Sequence, residues 1–77
     1  MKKHILIVDD EQTIRELCKE LLEEEGYEVT LAVDGQDALD KMDYDVFDLF
    51  LIDMAMPRIG GFELMKMIKR KQPLAVI

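Results

Sequence analysis

The sequence predicts one small α/β domain built on a parallel β-sheet, and two kinds of pattern indicate it. The runs Ile5–Val8 and Leu49–Ile52 are apolar without alternation, which is typical of strands buried on both faces. Between and after these runs, apolar residues recur at helical spacing. Strands that alternate with helices imply right-handed crossovers and therefore parallel strands covered by helices.

The first half of the chain predicts a strand over residues 4–8, a helix and a second strand. The helix is predicted from one apolar stripe at spacings of three and four, formed by Ile14, Leu17, Cys18, Leu21 and Leu22. Gly26 suits the position after its last turn. We interpret Cys18 as a small buried hydrophobe within the stripe. The alternating segment Tyr27–Ala32 predicts a strand at a sheet edge, with one wetter face.

The second half predicts two further helices and two further strands. Asp34 can cap a short helix that buries Ala38, Leu39 and Met42. The third helix is predicted from Phe62, Met65 and Ile68, with Leu64 flanking the stripe, and Gln72-Pro73 ends it. Leu74–Ile77 would begin a fourth strand. The order is therefore β-α-β-α-β-α-β, and the edge character of the second strand is consistent with a strand order of 2-1-3-4.

Composition limits the possible partners and the cellular compartment. The 77 residues carry 10 Lys and Arg against 17 Asp and Glu, a net charge of −7, which argues against direct nucleic acid binding and against an anionic membrane surface. The single cysteine cannot form an internal disulfide, which favours a reducing compartment. No apolar run approaches the length of a membrane span. We therefore expect a cytoplasmic protein whose charge suits a cation.

Carboxylates follow two of the predicted strands directly. Asp9 and Asp10 end the first strand and Asp53 ends the third, so neighbouring parallel strands would bring all three to one sheet edge. Such a cluster repels itself unless a cation neutralises it, and Mg²⁺ prefers oxygen ligands of this kind. His4 lies at the opposite end of its strand, which makes a zinc site improbable. The spacing alone is also consistent with a simpler interpretation, in which these residues are polar residues that end the strands and bind nothing.

Four motifs in order resemble the receiver domain of bacterial two-component response regulators. They are Ile-Leu-Ile-Val-Asp-Asp-Glu at 5–11, Ala-Val-Asp-Gly-Gln-Asp-Ala-Leu at 32–39, Leu-Ile-Asp-Met-Ala-Met-Pro at 51–57 and Gly-Phe-Glu-Leu at 61–64. The resemblance covers the whole chain and implies a flavodoxin-like, doubly wound fold. Residues 1–77 would then be the N-terminal portion of a receiver domain.

What the resemblance implies for function is phosphoryl transfer to Asp53 from a sensor histidine kinase or a phosphotransfer protein. Asp10 and Asp53 would bind Mg²⁺ directly, Asp9 mainly through water, and the backbone carbonyl of Ala55 would be the remaining protein ligand. The small side chain of Ala55 would leave the attacking water less obstructed during dephosphorylation. The protein would serve signalling and would not be an enzyme acting on other substrates.

The sequence departs from the family pattern in two places. Gly60-Gly61 stands where family members usually carry Asp-Gly, and glycine is an acceptable cap, so we expect only a small loss in the third helix. The chain also stops inside the fourth strand, before the Ser/Thr and Lys positions that contact the phosphoryl group in the family. Apolar surface of the first and third strands should then meet water on one sheet face. We therefore expect a homo-oligomer, most simply a dimer, that pairs around this face and Leu74–Ile77.

Two alternatives to a working phosphoacceptor follow from the same residues. An excised or engineered half-fold could keep its structure and be silent in signalling, because the Ser/Thr and Lys positions are missing. An aspartate-nucleophile phosphatase would also place an acid after its first strand, but it requires Asp-x-Asp, which Asp9-Asp10-Glu11 does not supply.

Overall fold

The computed structural model describes residues 2–56 and 58–72. Strands and helices alternate along this part of the chain. They are β1 (His4–Val8), α1 (Gln12–Glu24), β2 (Glu28–Ala32), α2 (Gly35–Met42), β3 (Leu49–Ile52) and α3 (Gly61–Lys71). None of the described helices is both long enough and apolar enough to span a membrane.

The three described strands form one parallel sheet with the order β2-β1-β3. Ile5 pairs with Val29 on one side and with Leu49 on the other, and Val8 pairs with Ala32 and Ile52. This confirms the central position of the first strand and the edge position of the second. The predicted fourth strand, Leu74–Ile77, lies outside the described residues.

The main core lies between the sheet and the helices α2 and α3. β1 contributes Leu6 and Val8 to it, and α3 contributes Leu64 and Ile68, all four with no exposed surface. Phe50 of β3 packs against Phe47 in an edge-to-face arrangement with ring centroids 5.8 Å apart. The sequence alone did not indicate whether Phe47 packs in the core or covers the start of the third strand. In the structure the residue is buried and also contacts the His4 ring at 4.5 Å, so it closes the N-terminal end of the core.

The opposite face of the sheet is only partly covered, by α1. Ile5 and Ile7 are buried there, so the expectation that the first strand would meet water is wrong. The third strand does meet water, because Leu51 is 39% exposed. No residue of α1 is fully buried, and Leu17 and Leu21 are 51% and 54% exposed.

The predicted burial of the whole α1 stripe is therefore wrong. The helix packs over β1 and β2, so the side that faces the sheet carries Cys18 and Leu22, which are half-buried. Cys18 is accordingly a partly covered side chain of the helix and not a fully buried one.

Helix α2 begins as predicted, with Asp34 as its N-cap. The Asp34 side chain accepts a hydrogen bond from the Asp37 N–H at 2.8 Å, and Asp37 in turn accepts one from the Val33 N–H at 3.0 Å. Burial alone would raise the pKa of Asp37, but the Val33 N–H and the Lys41 ammonium, 3.1 Å away, together hold that pKa below its usual value. The carboxylate therefore stays ionised and fixes the start of α2.

Helix α3 is rotated relative to the prediction. Leu64 and Ile68 face the core, whereas Phe62 is 71% exposed and Met65 is only half-buried. Two overlapping apolar rows run along this helix, and both have helical spacing, so periodicity could not choose between them. The close approach of Gly61 to the loop after β3 places the Leu64 row against the sheet.

The rotation of α3 predicts which side chain carries its stability. Leu64→Ala should destabilise the protein by about 2–5 kcal/mol, because it removes buried methyl groups and leaves a cavity. Phe62→Ala should change the free energy of unfolding by less than about 0.5 kcal/mol, because the ring is mostly in water. Urea denaturation of both variants measures the difference. Equal losses, or a larger loss for Phe62→Ala, would contradict this placement of the helix.

Candidate metal centre

The carboxyl ends of β1 and β3 lie side by side, which places the residues that follow them together. The Asp53 N–H donates to the Val8 carbonyl at 2.9 Å, and the Asp9 N–H donates to the Ala32 carbonyl at 3.2 Å. The sheet hydrogen bonding therefore continues one residue beyond the strands. These two hydrogen bonds hold the backbones of Asp9 and Asp53 level with each other at the same edge of the sheet.

Asp9, Asp10 and Asp53 each offer one carboxylate oxygen, and these oxygens lie within 4.8 Å of one another. Asp9 and Asp53 are half-buried, while Asp10 is exposed. The Asp9 carboxylate accepts a hydrogen bond from the Glu11 N–H at 2.9 Å. Arg15 donates to the backbone carbonyl of Asp9 at 2.7 Å. The structure thus brings together the three carboxylates that the sequence singled out.

The loop after β3 orients the Asp53 side chain. Its Oδ1 atom accepts a hydrogen bond from the Ala55 N–H at 3.0 Å. Among residues 2–56 and 58–72, no hydrogen bond to Oδ2 is found. Ala55 is exposed beside it. The assignment of the Ala55 carbonyl as a metal ligand stays a prediction.

The charges of the cluster are not neutralised by ion pairs within the described part of the chain. The ion pairs found there join Lys19 to Glu23, Lys41 to Asp37 and Lys71 to Asp43, all outside the cluster. Three converging carboxylate oxygens without nitrogen or sulfur donors suit a hard divalent cation such as Mg²⁺. The His4 ring is bonded instead to Thr30, at 2.7 Å, on the far end of the sheet. The donor set therefore fits magnesium.

Two backbone features of the loop between β3 and α3 were missed by the sequence reasoning. A Cβ at Gly61 would lie 2.6 Å from the Met54 Cα and 2.9 Å from the Asp53 carbonyl oxygen, so only glycine allows this approach. Arg58 adopts a φ of 64°, in the left-handed region. The expectation for Gly60-Gly61 concerned the helix cap, and nothing in the sequence marked Arg58.

Comparison with known proteins agrees with the fold. The family model of the response regulator receiver domain matches residues 5–77. Response regulator RR06 of Streptococcus pneumoniae is 45% identical over 74 residues, which cover 96% of this chain and 34% of that protein. The chain belongs to the response regulator receiver family, the phosphorelay signalling domains of two-component systems.

Solved structures show the same fold. The response regulator TrrA of Thermotoga maritima, in complex with Mg²⁺ and BeF, is 48% identical with a TM-score of 0.87, and the match covers 92% of this chain and 62% of that one. TrrA in complex with the histidine kinase ThkA is 48% identical with a TM-score of 0.89, covering 95% and 63%. The chain thus spans about a third of the length of RR06 and about three fifths of the TrrA chain.

The cluster predicts a specific response to magnesium. In the absence of Mg²⁺, Asp10→Asn should raise the melting temperature, because it relieves repulsion among the carboxylates. Adding Mg²⁺ at about 100 times its Kd should stabilise the unmutated protein by about 2.7 kcal/mol, and this gain should largely disappear in Asp10→Asn. Thermal unfolding with and without Mg²⁺ measures both effects.

The matched control is Asp45→Asn, in the loop at the opposite edge of the sheet, which should keep the full response to Mg²⁺. An equal loss in the two variants would show that magnesium acts through the net charge alone, and no response in the unmutated protein would contradict the metal site.

Proposed function

We propose that Asp53 accepts a phosphoryl group from a phosphohistidine of a sensor histidine kinase, with Mg²⁺ bound by the aspartate cluster. The observation that carries the proposal is the cluster itself, in which a carboxylate with one free oxygen lies within 4.8 Å of two others. Membership of the receiver family supports it, as does the magnesium-containing complex of TrrA.

The transfer forms one bond and breaks one. An Asp53 oxygen attacks phosphorus, a P–O bond forms, the P–N bond to the donor imidazole breaks, and the released nitrogen keeps the electron pair. The Ala55 N–H holds the Asp53 carboxylate in place through Oδ1, which leaves Oδ2 as the attacking atom. Asp10, Asp53 and the Ala55 carbonyl would hold the metal directly, and Asp9 would hold it mainly through water. Bound Mg²⁺ supplies positive charge for the phosphoryl oxygens.

The same site allows the phosphoryl group to be lost again. Water attacks phosphorus, the P–O bond to Asp53 breaks, and the products are inorganic phosphate and the free carboxylate. Ala55 is small and exposed, so it obstructs the approach of water little. The protein therefore resets itself and acts as a timed signalling switch, without turning over other substrates.

The kinase, or a phosphotransfer protein in its place, must bring its histidine to the sheet edge that carries Asp53. Two apolar side chains near this edge are open to such a partner, Ile14 at 40% exposed and Met54 at 47%. The complex of TrrA with the histidine kinase ThkA supports a partner of this kind. We place the reaction in the cytoplasm, where Mg²⁺ and phosphorylated kinase domains are available.

Phosphorylation by a small donor tests the acceptor directly. Acetyl phosphate with Mg²⁺ should add the mass of one phosphoryl group to the intact protein, Asp53→Asn should abolish the addition, and Asp45→Asn should leave it unchanged. Intact-protein mass spectrometry measures all three. A protein that is folded by circular dichroism and stays unmodified would favour the silent half-fold and overturn this proposal.

We also propose that the chain forms a homodimer through the partly covered sheet face. Leu17 and Leu21 of α1 and Leu51 of β3 each expose more than a third of their surface on this face. Exposed apolar surface of this kind promotes association. A second copy would cover it and so gain hydrophobic stabilisation.

Sedimentation velocity should show a dimer at micromolar concentration. Leu21→Lys should shift the population towards the monomer by at least about one order of magnitude in Kd, the equivalent of about 1.4 kcal/mol. Tyr44→Lys is the matched control, because Tyr44 is 88% exposed in the loop between α2 and β3. A well-folded monomer for the unmutated chain would contradict the dimer.

A further inference from the structure

A cavity of about 360 Å³ opens beside the aspartate cluster and shares one residue with it. Asp10 belongs to both, and the other walls come from the loop before α2 and the loop before α3. Arg58 is the one cationic residue in its lining. Arg58 therefore lines the same cavity as Asp10, one of the three carboxylates of the cluster.

Arg58 holds a backbone conformation that its side chain disfavours. With a φ of 64°, it is the one residue other than glycine in the left-handed region within the described part of the chain. Glycine or asparagine adopts this conformation more readily. Strain that is retained at a single position, next to a cluster of charged groups, is typical of a functional constraint.

The phosphorylated site would carry more negative charge than one Mg²⁺ neutralises. A phosphoryl group on Asp53 would carry a charge of about −2 at neutral pH, and Asp9 and Asp10 add two more negative charges. One Mg²⁺ balances only half of this total. Arg15 already donates to the Asp9 carbonyl at 2.7 Å. Arg58 is exposed, and no ion pair involves it among residues 2–56 and 58–72.

We propose that Arg58 binds the phosphoryl group on Asp53 through its guanidinium and thereby stabilises the phosphorylated state. Arginine forms charge-assisted hydrogen bonds with phosphoryl oxygens in a planar, two-pronged geometry. The five-residue separation from Asp53 keeps Arg58 on the same loop. This inference rests on the proposed function, because it assigns a phosphoryl-binding residue to the same site.

Beryllofluoride binding in the presence of Mg²⁺ tests the role of Arg58 without any turnover. Arg58→Asn removes the charge and tolerates the left-handed backbone, so it should fold normally and bind beryllofluoride about tenfold more weakly. Arg58→Lys keeps the charge but lacks the planar, two-pronged group, so it should recover only part of the affinity. Arg70→Asn, at the C-terminal end of α3, removes the same charge at a distance and should bind like the unmutated protein. Calorimetric titration measures each affinity.

Three outcomes would overturn the inference, and they differ from a failure of the proposed function. Unchanged affinity in Arg58→Asn would exclude phosphoryl contact, and an equal loss in Arg70→Asn would indicate a general charge effect. An equal loss of affinity for Mg²⁺ alone would show that Arg58 acts on the metal site. In all three cases the unmutated protein still accepts the phosphoryl group, whereas an unmutated protein that binds neither beryllofluoride nor acetyl phosphate overturns both proposals.

Urea denaturation of Arg58→Asn, with Arg58→Gly as a second variant, verifies that folding is intact.

Discussion

Electrostatic repulsion among three carboxylates is the constraint on which the rest of the structure depends. The parallel pairing of β1 with β3 sets Asp9 and Asp53 at one height, and Asp10 completes a cluster with oxygens within 4.8 Å. Like charges so close together destabilise the folded state unless a cation joins them. The fold accepts this cost at one edge of the sheet, and the same repulsion would favour the binding of a divalent cation there.

The two faces of the sheet contribute unequally to holding this edge in place. On one face, α2 and α3 complete a core that includes Phe50 and Leu64, both with almost no exposed surface. On the other face, α1 covers β1 and leaves Leu51 of β3 partly in water. β1 and β3, the strands that precede the aspartate cluster, both contribute side chains to this core. The proposed dimer would use the other face of the sheet.

Some features of the fold could be predicted because local chemistry determines them. The β1 bounds and the Asp34 cap follow from an apolar run and from a side chain that reaches its own helix. The convergence of Asp9 and Asp53 followed from the general rule that ligand sites lie at the carboxyl ends of parallel strands. These predictions needed no knowledge of how the helices are rotated.

Other features depend on tertiary contacts, which the spacing of apolar residues along the sequence does not reveal. Phe62 and Leu64 both continue an apolar row along α3, and only the contact of Gly61 with the β3 loop decides that Leu64 faces inwards. The predicted burial of the α1 stripe was wrong for a related reason, because the helix packs against the sheet with the side that carries Cys18. Arg58 was missed because a left-handed arginine has no sequence signature.

The most direct test of the account is the location of a metal ion in a crystal. Mn²⁺ has the same preference for oxygen ligands as Mg²⁺ and gives an anomalous diffraction signal. We expect one strong anomalous peak at bonding distance from the carboxylates of both Asp10 and Asp53, with Asp9 beside it. A structure at saturating Mn²⁺ with no peak there, or with these carboxylates turned towards separate regions of solvent, would contradict the claim that they form one site.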